Sequence, residues 1–271
     1  MTRPLRILMG FALFFGCWQT LVTLLALPPF LLPGPKLVLQ TLWTSRAMIA
    51  EAAAITMGVV AISLVLGAAL GVATAIALAA SARLCAIVQP ILIISQTIPI
   101  FALAPLLTLW LGYGLASKVA VAVLVIYFPV TSAFLDAILR TPPGWLELAH
   151  IMQARPSQTL WRIRVPAALP GLATGLRLAA IYAPLGVVLG EWVGAAQGLG
   201  YLMLLANGRA KIDLMFAALL VLCTLTYALH RGLDWALQQM KSDRICRGKI
   251  KRNPTAVFNA FEADEGSTHC L

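Results

Sequence analysis

Three long stretches of this chain carry no charged residue: 7–35 between Arg6 and Lys36, 52–82 between Glu51 and Arg83, and 84–117 between Arg83 and Lys118. An apolar helix of about 20 residues spans the hydrocarbon core of a bilayer, so each stretch can hold one crossing. Inside lipid, backbone N–H and C=O groups must be satisfied within the segment itself, which makes a helix the expected form of such runs. A fourth uncharged stretch, 119–135, is short but sufficient. A fifth crossing at 168–193 contains Arg177 and Glu191, and a sixth covers 214–238.

The reading is therefore an all-α polytopic membrane protein with about six transmembrane helices, near 7–27, 55–80, 85–111, 117–136, 168–193 and 214–238. A membrane domain of residues 1–240 is followed by a tail, 241–271, basic at first and then acidic, expected to be poorly ordered. The first span starts behind Arg3 and Arg6 and runs into Pro28-Pro29-Phe30 without a small-x-small cleavage site, so it reads as a retained anchor.

Composition agrees. Of 271 residues, 61% are hydrophobic and 11% charged, against about 45–50% and about 25% in soluble domains. A soluble enzyme, a disordered regulator and a secreted disulfide scaffold are excluded. The 20 Lys+Arg against 10 Asp+Glu give a net charge of +10. These basic residues punctuate apolar runs rather than cluster beside stacking aromatics, so no nucleic-acid partner is expected. Six spans place both termini on one side. With that side cytoplasmic, the outside holds only Lys36, Arg46, Lys118, Arg209 and Lys211, five against thirteen within, as the positive-inside rule requires. The basic start of the tail lies near anionic membrane lipid.

Catalytic signatures are missing. His150 and His230 are isolated, no Gly-x-Ser-x-Gly or His-Glu-x-x-His occurs, and Gly112 to Lys118 lacks the Gly-Lys-Ser/Thr end of a phosphate loop. The five cysteines show no Cys-x-x-Cys spacing and no neighbouring His cluster, so neither a metal site nor a disulfide framework is expected. No cofactor is assigned to the chain.

The loop between the fourth and fifth spans, 140–166, is the most informative segment. Leu148, Ile151 and Met152 make one apolar stripe at helical spacing after Glu147. Pro156 opens a second short helix, and Leu160, Trp161, Ile163 and Val165 form another apolar surface ahead of Pro166. Such a loop is either a docking surface for a partner or an amphipathic segment lying in the headgroups.

This spacing resembles the cytoplasmic motif of the permease subunits of binding-protein-dependent ABC importers: Glu-Ala-Ala, three residues, Gly, nine residues, Ile, one residue, Leu-Pro. Glu147, Ala149, Ile163, Val165 and Pro166 stand at matching positions, while Leu148 replaces the first Ala and Gln153 the Gly. The likeness extends over about residues 30–240. Pro99, Leu103-Ala104-Pro105-Leu106, Gly112-Tyr113-Gly114, Ala167-Ala168-Leu169-Pro170 and Gly198-Leu199-Gly200-Tyr201-Leu202 resemble the nitrate, sulfonate and taurine branch. Residues 190–203 and 213–219 look most like permeases assigned to hydroxymethylpyrimidine, a thiamine precursor.

The resemblance implies a type I ABC importer permease fold in a bacterial inner membrane. It implies two copies pairing as a homodimer, and two cytoplasmic ATP-binding subunits that receive Glu147, Ala149, Gln153, Ile163, Val165 and Pro166. ATP and Mg would be bound by those subunits, and an external solute-binding protein would deliver the solute. Import of a sulfonate, taurine or nitrate is the alternative; a stand-alone secondary transporter would need inverted repeats or mid-membrane coupling carboxylates.

Ionisable groups inside a membrane are costly and therefore candidates for function. Glu191, set among Gly186, Gly190, Gly194 and Gly198, is the leading one; that glycine spacing is expected to make one flat helix face. Gln96, Tyr127, Tyr182 and Trp192 can hydrogen-bond to or stack on a planar solute. Pro99 and Pro105 interrupt the third span, which makes 96–105 the expected pathway-lining stretch.

Overall fold

The computed structural model describes residues 3–26, 28–194 and 196–249. These residues form helices α1 (Arg3–Leu24), α2 (Pro35–Thr44), α3 (Arg46–Ala80), α4 (Ala82–Ser95), α5 (Ile100–Leu111), α6 (Leu115–Leu139), α7 (Pro143–Ile151), α8 (Pro156–Thr159), α9 (Val165–Gly194), α10 (Leu199–Gly208) and α11 (Ile212–Lys249), with a π-helical turn at Leu160–Arg164. Among the described residues, four stretches are long and apolar enough to cross a membrane: α3, α6, the run Pro156–Gly194, and residues 212–239 of α11. The pair α4 and α5 makes a fifth if counted as one span. The remainder of the expected tail, 250–271, lies outside the described residues.

The centre is built from α3, α6 and α9. Val60, Ala122, Ile126, Val130, Ala179, Ala183 and Val187 are fully buried where the three helices meet. In a membrane the drive for such packing is close contact rather than escape from water, so small residues belong at the seam. A Cβ added to Gly186 would stand 2.9 Å from the Ala122 Cα, and one added to Gly190 would stand 2.9 Å from the Lys118 Cα. The α9 backbone therefore rests directly on α6. A second core, at the end formed by α2, α10 and the start of α11, contains Val38, Leu199, Leu202 and Ala217. A third, at the opposite end, joins Leu78, Phe134 and Ile138 to Leu160 and Ala168.

Several expectations change. The third span is not one rod: α4 and α5 meet at a bend of 98°. The physical reason is Pro99, which has no N–H for the ladder and disfavours helical geometry at Ile98 before it. Pro90 and Pro105 are instead held inside helices. Pro166 sits at the second position of α9. The π-helical turn just before it widens the ladder where Pro166 has no N–H to give. Gly198 is not on the glycine face: α9 ends at Gly194, and Gly198 caps α10 with φ +118. Helices α2 and α10 belong to none of the expected spans.

Candidate functional site

The elbow between α4 and α5 opens a cavity of about 700 Å³ against α6 and α9. Ser95, Gln96 and Pro99 line it from the elbow, Tyr127, Phe128 and Ser132 from α6, and Leu178 and Tyr182 from α9. Its size falls in the range of small-molecule sites, about 300–1,000 Å³. No Asp, Glu, Lys, Arg or His is among its lining residues. The surface is aromatic and aliphatic, with one carboxamide, two aliphatic hydroxyls and two phenols as polar groups. Such a surface suits a neutral planar solute that stacks on rings and exchanges hydrogen bonds at its edge. Of the six residues marked for the pathway, Gln96, Pro99, Tyr127 and Tyr182 meet here; Glu191 and Trp192 lie elsewhere.

Phe128, Leu178 and Ser132 were not singled out from sequence. The spacing of Leu178 and Tyr182, four residues apart on α9, is the signal that places both on one face.

Glu191 is 1% exposed near the far end of α9. Its Oε1 accepts the Thr56 hydroxyl of α3 at 2.8 Å, and its Oε2 accepts the Gly200 N–H of α10 at 2.7 Å. The Thr56 oxygen in turn accepts the Leu199 N–H at 2.8 Å. The first N–H groups of a helix have no intrahelical partner, and Gly198 provides no side-chain cap. A carboxylate and a hydroxyl from two other helices thus cap α10, with the negative charge at the positive end of the helix dipole. The ammonium of Lys118, 7% exposed on α6, donates to the Gln197 carbonyl at 3.3 Å and attracts the Glu191 carboxylate. A Cβ at Gly198 would overlap the Glu191 carboxylate, and one at Gly200 would stand 2.9 Å from Oε2. The Gly-Leu-Gly of this segment is explained by that approach. Trp192, beside it, is exposed.

At the other end of α9, helix α7 starts at Pro143, so Glu147 lies within it rather than at its start, and is exposed. Ala149 is buried, while Trp145, Leu148, Ile151 and Met152 are exposed, between 54% and 77%. Gln153, in the place of the motif glycine, has φ +54. The Gln153 N–H bonds to the His150 carbonyl and the Ala154 N–H to the Ala149 carbonyl, both at 2.9 Å. That pair is a Schellman ending, in which the left-handed position is normally glycine. Gln153 therefore makes the turn that glycine would make. Ile163 and Pro166 border a groove with Trp145, Leu148 and Arg162. Val165 opens α9 beside them, half-buried. With Trp161, 57% exposed, the 140–166 loop thus presents five large exposed apolar side chains: Trp145, Leu148, Ile151, Met152 and Trp161.

These features define the class: an all-helical, multi-pass permease of a bacterial inner membrane. A chain of the MetNI methionine ABC transporter in an inward-facing conformation superimposes with a TM-score of 0.60 at 22% identity, over 76% of this chain and 97% of that one, which shows a type I importer fold. The chain belongs to the family of binding-protein-dependent transport system inner membrane components, matched over residues 67–239. A "Probable ABC transporter permease protein" of Haemophilus influenzae is 44% identical over 237 residues, covering 88% of this chain and 97% of the relative. The formylaminopyrimidine transport permease protein ThiX of Halalkalibacterium halodurans is 40% identical over 174 residues, covering 64% of this chain and 70% of the relative.

Proposed function

We propose that the chain is the membrane permease of an ATP-driven importer of hydroxymethylpyrimidine or a related thiamine precursor. Two copies pair around the solute pathway, with both termini in the cytoplasm. Two ATP-binding subunits hold ATP and Mg and seat the α7 surface around Leu148, Ile151 and Met152 in their clefts. A binding protein delivers solute from outside. A helix held in a partner's groove transmits that partner's displacement, so closure of the ATP-binding subunits draws the two 140–166 loops together. The permease itself carries out no covalent chemistry.

The observation that carries the substrate reading is the uncharged, aromatic lining of the elbow cavity. A pyrimidine ring can lie against Tyr127, Phe128 or Tyr182 while its ring nitrogens and substituents meet the Gln96 amide and the Ser132 hydroxyl. A sulfonate or nitrate would give up its hydration without gaining a cation, which is costly at membrane depth. The kinship with a formylaminopyrimidine permease points the same way. Titrating the cognate binding protein with hydroxymethylpyrimidine and with taurine tests this reading. Saturable binding of the pyrimidine alone is expected; binding of taurine alone would reverse the assignment.

A further inference from the structure

Helix α9 joins the two ends of the molecule. With α8 and the π-helical turn it forms one helical run, Pro156–Gly194, of 39 residues. The start of that run carries the apolar surface of the loop, and its last turn carries Glu191. At 1.5 Å per residue, Val165 and Glu191 are about 40 Å apart. Pro170 and Pro184 each remove a rung from the α9 ladder, so the helix alone is a poor lever. Its backbone rests closely on α6 at Gly171, Gly175, Gly186 and Gly190, which supports it on both sides of Pro184. At the far end, Glu191 grips Thr56 of α3 and Gly200 of α10, and Lys118 of α6 holds the Gln197 carbonyl.

We propose that Glu191 is a positioning residue for transport: it locks the far end of α9 to α3 and α10, so that movement of the 140–166 loop is delivered to α10 and the turn before it. This rests on the importer reading above. Charge-assisted hydrogen bonds in a dry site are costly to break. The four helices therefore shift together, and the turn at Gln197 moves when the loop at the opposite end moves. Without the carboxylate, α9 slides past α3 and α10, and the displacement is lost before it reaches them.

The test uses the whole assembly, permease with its ATP-binding subunits and binding protein, in proteoliposomes. The exposed Gln197 is replaced by Cys in a background whose native cysteines are replaced by Ser, and its maleimide labelling rate is measured with and without ATP plus vanadate. In the parent, trapping changes the rate at least fivefold. In Glu191→Ala and in Thr56→Val, which keeps the carboxylate and the shape of Thr56, the change falls below twofold. Glu191→Gln, whose carbonyl oxygen can accept the Gly200 N–H while its amide N–H donates to the Thr56 oxygen, retains most of it.

A parent whose labelling ignores nucleotide, or an Ala variant that responds like the parent, overturns the proposal. The readout needs no solute, so an error in the assigned substrate does not affect it. Failure of the importer reading is seen separately: no ATP-binding subunit would co-purify, and the proposal would fall with that reading.

Discussion

The hydroxyl of Thr56 and the carboxylate of Glu191 meet at 2.8 Å across 135 positions of sequence, both fully buried, and together they cap a helix that neither belongs to. Removing the hydroxyl leaves the Leu199 N–H without its acceptor and Glu191 Oε1 without its donor. Each orphaned buried group costs about 1–3 kcal/mol. Thr56→Val is expected to lower the thermal midpoint of the detergent-solubilised protein by several degrees, and Thr56→Ser to restore most of it; scanning fluorimetry reads both.

Gly198→Ala is expected to be more damaging than its small volume suggests. The φ of +118 is strained for any side chain, and the added Cβ overlaps the Glu191 carboxylate. Because the two sites touch, Glu191→Ala combined with Gly198→Ala should destabilise by less than the sum of the single variants. A double-mutant cycle on thermal midpoints measures the difference.

Gln153 is the opposite case. Its φ of +54 costs a side-chain-bearing residue about 1 kcal/mol that glycine at a helix C-terminus does not incur. Gln153→Gly should raise the midpoint by a few degrees, as should Ala210→Gly, where φ is +55 and Lys211 donates back to the Ala206 carbonyl at 2.9 Å.

Gly190→Leu should separate the central helices, because its Cβ alone would stand 2.9 Å from the Lys118 Cα. A loss of about 2–4 kcal/mol is expected from overpacking against a backbone that cannot retreat. Protein yield and resistance to limited proteolysis are the readouts.

Ile151→Asp adds a charge to a side chain 77% exposed on α7, so the fold should be unaffected. The ATP-binding subunits should no longer co-purify, since the charge would be buried in their cleft. Co-purification at wild-type level would remove α7 from the proposed interface.

How much of this was legible in the sequence differs by element. Helices α3 and α6 follow from uncharged runs, and α9 and α11 from mostly apolar ones, because a helix satisfies its backbone within the segment in lipid. Helices α2 and α10, each of 10 residues, are too short for that argument. The start of α10 depends on Thr56 and Glu191, which are distant in sequence. Gln96, Pro99, Tyr127 and Tyr182 stand out as polar, aromatic or helix-breaking residues in apolar runs, and the structure gathers them around one cavity. Glu191 stands out for the same reason, but its neighbours could not be read. A buried carboxylate demands donors without saying which ones, and Thr56 looks like any threonine in a membrane helix.

ATP-driven uptake of radiolabelled hydroxymethylpyrimidine into proteoliposomes containing the full assembly tests the central claim most directly. The account predicts accumulation that requires ATP, survives a hundredfold excess of taurine, and falls at least tenfold in Tyr182→Ala although the variant still binds its ATP-binding subunits. Accumulation abolished by taurine, or unchanged in Tyr182→Ala, would contradict it.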